Sequence, residues 1–410
     1  MRRLLLLALL LPLLLVPAPG GAAAAPEAIP VPEEDPFYQV PVDVGDYRNG
    51  QVISSRTVEA SMFEVPLTAR AWQVKYRTEN SKGRPSATVT TVLVPRTAWD
   101  GPGARPLVSY QTAEDGVAGR CAPSYALRAG LDGGLTGSYS ETPLIAMALA
   151  KGWAVSVPDY EGPRSEFLVA GTQAKGVLDG VRAARRFGPA GISSTAPIGL
   201  WGYSGGSLAS VTAAQLQPTY APKLKLRALA LGGLLGSIRS TIDAFSGSFA
   251  GGAIPMGING FLRAYPELDL PQYLSAGGLA KVRESSRDCI FDAVPRYPFL
   301  TLAGIEAVPD ALSRPPVARM LNSNSPLHMA GIPRVPIYHY HALLDELAPI
   351  APARATLRRF CAHGTVVQSV TKLVGEHLTE IALGAPGALA FLSNRFAGKQ
   401  PVNTCSSIPR

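Results

Sequence analysis

The sequence predicts an α/β protein built on a mostly parallel central sheet with helices on both faces. Short apolar, β-branched runs alternate along the chain with stretches of helical periodicity, the pattern of that architecture. Several runs are continuously apolar, as parallel strands buried on both faces are. Hydrophobic residues make up 47% of the 410 residues and charged residues 17%, enough to bury a large core in one or two domains.

The chain opens with Arg2 and Arg3, an apolar stretch over 4–16 and small residues over 22–25. That order predicts a secretory signal peptide cleaved near Ala24; the stretch is shorter than the roughly 20 residues of a membrane span. Four cysteines, Cys121, Cys289, Cys361 and Cys405, suit the oxidising compartment outside the cell that such a leader implies. None has zinc-like spacing, and spacing does not choose among their three possible pairings. The net charge of +8 includes both leader arginines and is spread out. Its densest cluster, Arg182, Arg185 and Arg186, closes a helix, where cations complement the dipole. No basic stripe interleaved with aromatics points to nucleic acid.

Past the leader, ATVTTVLVP (87–95), PLVSYQ (106–111) and GWAVSVPDY (152–160) read as strands. A helix over 171–187 carries Ala174, Val177, Leu178, Val181 and Ala184 on one face. The strand IGLWGYS (198–204) leads into a helix over 207–217, and LRALALGG (226–233) is the next strand. From about Ser237 to about Leu321 the alternation stops, and glycine, proline and isolated apolar residues dominate. A segment that long inside an α/β core predicts an inserted helical cap rather than a loop. VPIYHYHA (335–342), a helix over 352–361, TVVQSVTKLV (365–374) and a helix after His377 complete the sheet. The layout is a signal peptide over 1–24, a first core part over 25–236, the cap over 237–321 and a second core part over 322–410.

The strand over 198–204 ends in Gly202-Tyr203-Ser204-Gly205-Gly206, which matches G-x-S-x-G between a strand and a helix. A serine there sits on a strained turn, and side chains two before or two after it would collide with neighbouring backbone. The helix that follows aims its positive end at the site, where acyl transfer develops negative charge. Serine needs a base, and the base an orienting acid. In such sites the chain order is serine, acid, histidine. Of five histidines, His328 lies at the edge of the insertion, His339 and His341 fall inside a strand, and His363 closes a helix. His377 alone follows the last strand where a loop becomes a helix, so it is the candidate base. Asp345 comes first off the preceding strand and is the candidate acid, with Glu346 beside it as the fallback. The Gly205 N–H supplies one oxyanion donor, and the loop over 109–125 should supply another, with no residue singled out by the sequence pattern. His339 and His341 share a strand face without a third ligand and read as core. No nucleotide loop follows a strand, so neither metal nor cofactor is predicted.

Several separated phrases together, SYQTAEDG…CAPSY (109–125), GWAVSVPDYEGPRSEF (152–167), GVLDGVRAA (176–184), GYSGG (202–206) and GEHLTE (375–380), resemble the secretory lipases of fungi and actinobacteria. The resemblance implies an α/β-hydrolase fold with a helical cap between serine and acid, and a triad at Ser204, Asp345 and His377. It implies that Asp115, beside Glu114, helps hold the oxyanion, either protonated or through its N–H, and therefore lies sheltered. It also implies disulfides pairing Cys121 with Cys289 and Cys361 with Cys405.

The expected function is a secreted serine lipase or carboxylesterase cleaving acyl esters, with triacylglycerol as the leading substrate class and a lipid–water interface as its workplace. No nucleic acid and no stable membrane span are expected as partners. An esterase for short or polar acyl chains, or an acyltransferase, would use the same residues. A hydrolase-fold protein kept for binding is the non-enzymatic alternative. Ile254, Met256, Ile258, Phe261 and Leu262 in the insertion fit either an acyl tunnel or the cap's own packing.

Overall fold

A computed structural model describes residues 28–410; the predicted leader and its cleavage site lie outside the described residues. The described residues form eleven strands: β1 (Val52–Val58), β2 (Ser61–Met62), β3 (Val65–Pro66), β4 (Ala69–Glu79), β5 (Pro85–Pro95), β6 (Leu107–Gln111), β7 (Ala154–Pro158), β8 (Ile198–Tyr203), β9 (Leu226–Gly232), β10 (Ile337–Ala342) and β11 (Val367–Lys372). Nine of them form one sheet in the order β1-β4-β5-β7-β6-β8-β9-β10-β11, and β2 and β3 form a separate hairpin. Pairing is parallel from β7 through β11 and antiparallel among β1, β4, β5 and β7.

The helices are α1 (Pro123–Ala129), α2 (Gly137–Ser140), α3 (Thr142–Ala150), α4 (Ala170–Arg186), α5 (Gly205–Tyr220), α6 (Ile238–Phe245), α7 (Ala253–Ala264), α8 (Ala276–Glu284), α9 (Ile290–Arg296), α10 (Pro315–Ser323), α11 (Ile350–Ala362) and α12 (His377–Phe396). They bury two large clusters against the sheet. One joins α4, α5 and α11 through Val177, Leu178, Val211 and Leu357; the other joins α3 and α12 through Ile145, Leu389 and Leu392. This is the α/β-hydrolase architecture expected from the resemblance, and α6 to α10 occupy the stretch between β9 and β10. Helix α10 runs through position 321, so the sequence-read end of the insertion falls inside a helix.

Two features lack a signal in the sequence pattern. β1 and β4 do not read as strands because Arg70, Lys75 and Arg77 interrupt the apolar run in β4. Two of these heads find polar partners instead, Lys75 on the Gln39 carbonyl at 3.1 Å and Arg77 on Glu79 at 3.1 Å. The region over 123–150 is helical rather than loop; Gly130, Gly133, Gly134 and Pro143 cut it into pieces too short to show a period.

Candidate active site

Ser204, Asp345, His377 and Asp115 follow the carboxyl ends of β8, β10, β11 and β6, four parallel strands, so the topology gathers them at one edge of the sheet. Ser204 sits at φ +51°, ψ −122°, a region that L-residues occupy only under strain. The surrounding glycines permit it. A methyl group on Gly202 would overlap the Gly206 carbonyl, one on Gly206 the Gln111 carbonyl, and one on Gly205 the Asp115 carboxyl. The first two are the collisions expected from the motif; the third comes from the facing loop.

His377 opens α12 behind a capping box with Glu376. Its Nε2 lies 2.9 Å from Ser204 Oγ, and its Nδ1 lies 2.8 and 2.9 Å from the two oxygens of Asp345. Nδ1–H directed at a carboxylate leaves Nε2 free to accept the serine proton. Asp345 Oδ1 also accepts the N–H groups of Leu347 at 3.1 Å and Ala348 at 2.7 Å. Burial alone would raise the Asp345 carboxyl, but His377, His341 and the Ala348 N–H outweigh it and hold the group below its ordinary value. Glu346, the fallback acid, accepts from the His377 backbone N–H at 3.2 Å rather than from the ring. Tyr203 supports the imidazole from the side, its ring 5.2 Å away and its hydroxyl donating to the His377 carbonyl at 2.6 Å. Neither His328 nor His363 is buried.

The oxyanion side is built from the loop after β6. The Gly205 N–H is among the unpaired donors at the start of α5. Above it lies the buried Asp115 carboxyl, whose Oδ1 has no hydrogen-bond partner. Burial lifts this carboxyl to about 7 against the opposing pull of His377 and of its own N–H. Glu114 faces elsewhere and accepts the Glu161 N–H at 3.1 Å. Asp115 takes φ +27°, and its carbonyl accepts the Ile290 N–H at 2.9 Å. Gly116 bridges Cys289 in antiparallel fashion, and Cys121 is disulfide-bonded to Cys289 with Cα atoms 5.5 Å apart. The second disulfide joins Cys361 to Cys405.

Glu141 is a support that sequence reasoning misses. It accepts the Ala113 N–H at 3.0 Å and the Tyr110 hydroxyl, bracing the loop from behind; burial moves it up to about 8, against those two bonds. A lone glutamate in SYSETP gives no sequence signal of burial.

A cavity of about 510 Å³ opens beside these groups, with Ser204, His377 and Asp115 in its wall. Its lining is almost wholly apolar and includes Phe167, Leu168, Ile254, Ile258 and Phe261. Met256 and Leu262 do not line it; they pack into the apolar cluster with Leu208 and Ile238, because they lie off the helix face that Ile254, Ile258 and Phe261 share at i, i+4 and i+7. Among the described residues, no three metal-ligating side chains gather, and no helix is long and apolar enough to cross a membrane.

Residues 130–404 match the family described as secretory lipase. Lipase 5 of Candida albicans is 34% identical, covering 92% of this chain and 84% of its own length. Lipase A of Arthroderma benhamiae is 35% identical over 90% of this chain and 80% of its own. A Mycobacterium tuberculosis protein named probable inactive lipase is 37% identical over 90% of this chain and 83% of its own. Among solved structures, Candida antarctica lipase A in its closed state superposes with a TM-score of 0.86 at 31% identity, covering 93% of this chain and 90% of that one.

Proposed function

The chain belongs to the secretory lipase family, and from that premise we propose that it is an exported serine ester hydrolase that cleaves acylglycerols through an acyl-enzyme on Ser204. The observation that carries this is the contact chain Ser204–His377–Asp345, at 2.9 and 2.8 Å, in the wall of an apolar cavity. His377 Nε2 takes the Ser204 proton as Oγ attacks the ester carbonyl, and the Asp345 carboxylate stabilises the imidazolium. The Gly205 N–H and the protonated Asp115 carboxyl hold the oxyanion. Collapse of the tetrahedral species expels the alcohol, which takes the proton from His377. Water, deprotonated by the same nitrogen, then releases the fatty acid and restores the serine.

Helices α6 to α10 act as the cap and supply much of the acyl-binding wall. Two disulfides fit an extracellular home. Approach to a lipid–water interface is supported by five exposed aliphatic side chains around His377: Leu343, Leu344, Leu373, Val374 and Leu378. The loops that carry the first four leave β10 and β11 side by side, with Leu343 N–H bonded to the Lys372 carbonyl at 2.7 Å.

A serine-reactive fluorophosphonate tests the mechanism. Labelling of the folded protein that Ser204→Ala abolishes, together with loss of ester hydrolysis, is the expected result. An unlabelled Ser204 would favour the binding-protein reading that the name of the mycobacterial relative keeps in view. Rates on acyl esters of graded length, soluble and emulsified, then separate a lipase from an esterase for short or polar chains. Adding a competing alcohol and measuring the new ester tests for acyl transfer.

A further inference from the structure

His339 and His341 read as core residues in the sequence, and both are fully buried. Their hydrogen bonds, however, lead to the Ala348 turn, whose N–H donates to Asp345 of the candidate triad. Ser369 Oγ lies 3.0 Å from His339 Nδ1, His339 Nε2 lies 3.2 Å from His341 Nδ1, and His341 Nε2 lies 2.7 Å from the Ala348 carbonyl. The same His341 Nε2 is 3.3 Å from Asp345 Oδ2.

The chemistry of the partners fixes every proton in this chain. A carbonyl only accepts, so His341 Nε2 carries the hydrogen. Burial, helped by the Arg354 charge and by a neighbouring imidazole (His341 for His339, His377 for His341), holds both rings below their ordinary value and neutral, against the pull of Asp345 and the Ala348 carbonyl on His341. His341 Nδ1 is therefore an acceptor and His339 Nε2 its donor. His339 Nδ1 in turn accepts the Ser369 hydroxyl hydrogen. Each ring lone pair is already engaged, so the pair cannot bind a metal without breaking the chain.

At the far end, the two oxygens of Asp345 are held unequally. Oδ1 has two backbone N–H donors besides His377, while Oδ2 has only His377, with the His341 ring nitrogen lying alongside at 3.3 Å. We infer that His341, with its orientation locked by His339 and Ser369, is a positioning residue that holds the Asp345 carboxylate and the Ala348 turn in register under His377. The His341 N–H fixes the Ala348 carbonyl, and so the turn whose two N–H groups hold Oδ1, while its ring packs against Oδ2. This inference rests on the proposed hydrolase mechanism and extends it from three residues to six.

The test is a mutant cycle on a soluble, activated short-chain ester, in the full chain. His341→Leu keeps the volume and removes the donor. It should lower kcat about 10- to 100-fold with KM within about twofold, the cost of a small misplacement at a reacting centre. His341→Gln, which keeps an N–H donor for the Ala348 carbonyl, should recover most of the loss. In an Asp345→Asn background, His341→Leu should cause no further loss, because a residue that acts through the carboxylate has nothing left to position. Equal losses in both backgrounds, or an unchanged kcat with Asp345 intact, would overturn the inference. Should H341L not fold, Ser369→Ala replaces it, with an expected loss of about threefold that D345N erases; a loss that is absent or persists in D345N would equally overturn it. Ser204→Ala run alongside separates the two levels: activity surviving in S204A sinks the hydrolase mechanism itself, whereas an inert S204A with a fully active H341L sinks only the role of His341.

Discussion

Replacing Asp115 by asparagine isolates the one ionisable group that overhangs the Gly205 N–H. Burial raises this carboxyl from 3.8 to about 7, so between those values the folded protein keeps a proton that the unfolded chain has released. Each pKa unit is worth about 1.4 kcal/mol, and a gap of about three units corresponds to an upper value of about 4 kcal/mol. The sign follows from the proton count. Below about pH 4 both states are protonated and the cost is absent; stability then falls as pH rises, and levels off above about 7, where both states are ionised. The amide of D115N is neutral throughout. The stability of D115N relative to the unmodified protein should therefore rise by up to about 3 kcal/mol between pH 4.5 and pH 9, measured by guanidinium denaturation across that range. Asp159, lifted by burial to about 7, titrates in both proteins and cancels in the difference; Glu141, lifted to about 8 by burial and also by the Asp115 charge, loses that repulsion in D115N and shifts the difference in the same direction. Activity offers a second reading. An amide donates at any pH, so an alkaline fall in kcat that reflects loss of the Asp115 proton should move to higher pH in D115N. Asp115→Leu, with no donor, should lose about 10²-fold. Parallel stability curves for D115N and the unmodified protein would refute the claim that this carboxyl is held protonated.

For acyl esters of increasing length, kcat/KM should climb about fourfold per added methylene until the chain fills the cavity, and Ile258→Trp should flatten the series at shorter chains; a flat series in the unmodified protein contradicts an acyl-binding role. Replacing Leu344 and Val374, which are 70% and 81% exposed, by serine should leave rates on soluble esters unchanged and cut rates on emulsified triacylglycerol about fivefold or more; equal effects on both would place these residues outside interfacial binding. Removing the Cys361–Cys405 bond, across 44 residues of chain, should cost about 4 kcal/mol in denaturation midpoint energetics with little change in kcat. Removing Cys121–Cys289 should lower kcat as well, because that bond anchors the loop bearing Asp115; an unaffected kcat would show that the loop holds its position without it.

Legibility in the sequence followed the periodicity of burial. Strands β5 to β10, buried and mostly apolar, are readable because their hydrophobic runs end in turns, and the half-buried edge strand β11 is readable from its β-branched residues. β4 hides the same role behind Arg70, Lys75 and Arg77, long side chains whose aliphatic stems can lie on apolar surface while their heads seek polar partners. The grouping of Ser204, Asp345 and His377 is legible from loop order alone, since each follows a parallel strand and the topology does the rest. Asp115 needs the family resemblance, because its partner is a glycine that lacks a side chain to signal it. Glu141, Tyr203 and His341 are invisible as supports for a different reason. Their significance lies in hydrogen bonds that span 28, 174 and 7 residues for Glu141–Ala113, Tyr203–His377 and His341–Ala348, and a local pattern registers them only as buried polar groups.

Those contacts across the fold also constrain how substrate can enter. The loop carrying Asp115 is attached to the start of α9 in three ways: Asp115 carbonyl to Ile290 N–H, the Gly116–Cys289 bridge, and the Cys121–Cys289 bond. Ile290, Phe291, Val294 and Pro295 from the same stretch line the cavity. Lifting α9 to admit an acyl chain would drag the Asp115 loop with it and disassemble the oxyanion side as substrate arrived. A hydrolase working through Gly205 and Asp115 must therefore admit substrate with the start of α9 held in place; Phe249 and Leu378 are exposed side chains of the lining outside α9. Long-chain esters should therefore be hydrolysed at full rate with the Cys121–Cys289 bond intact, and a long-chain activity that appears only after that bond is reduced would refute the argument.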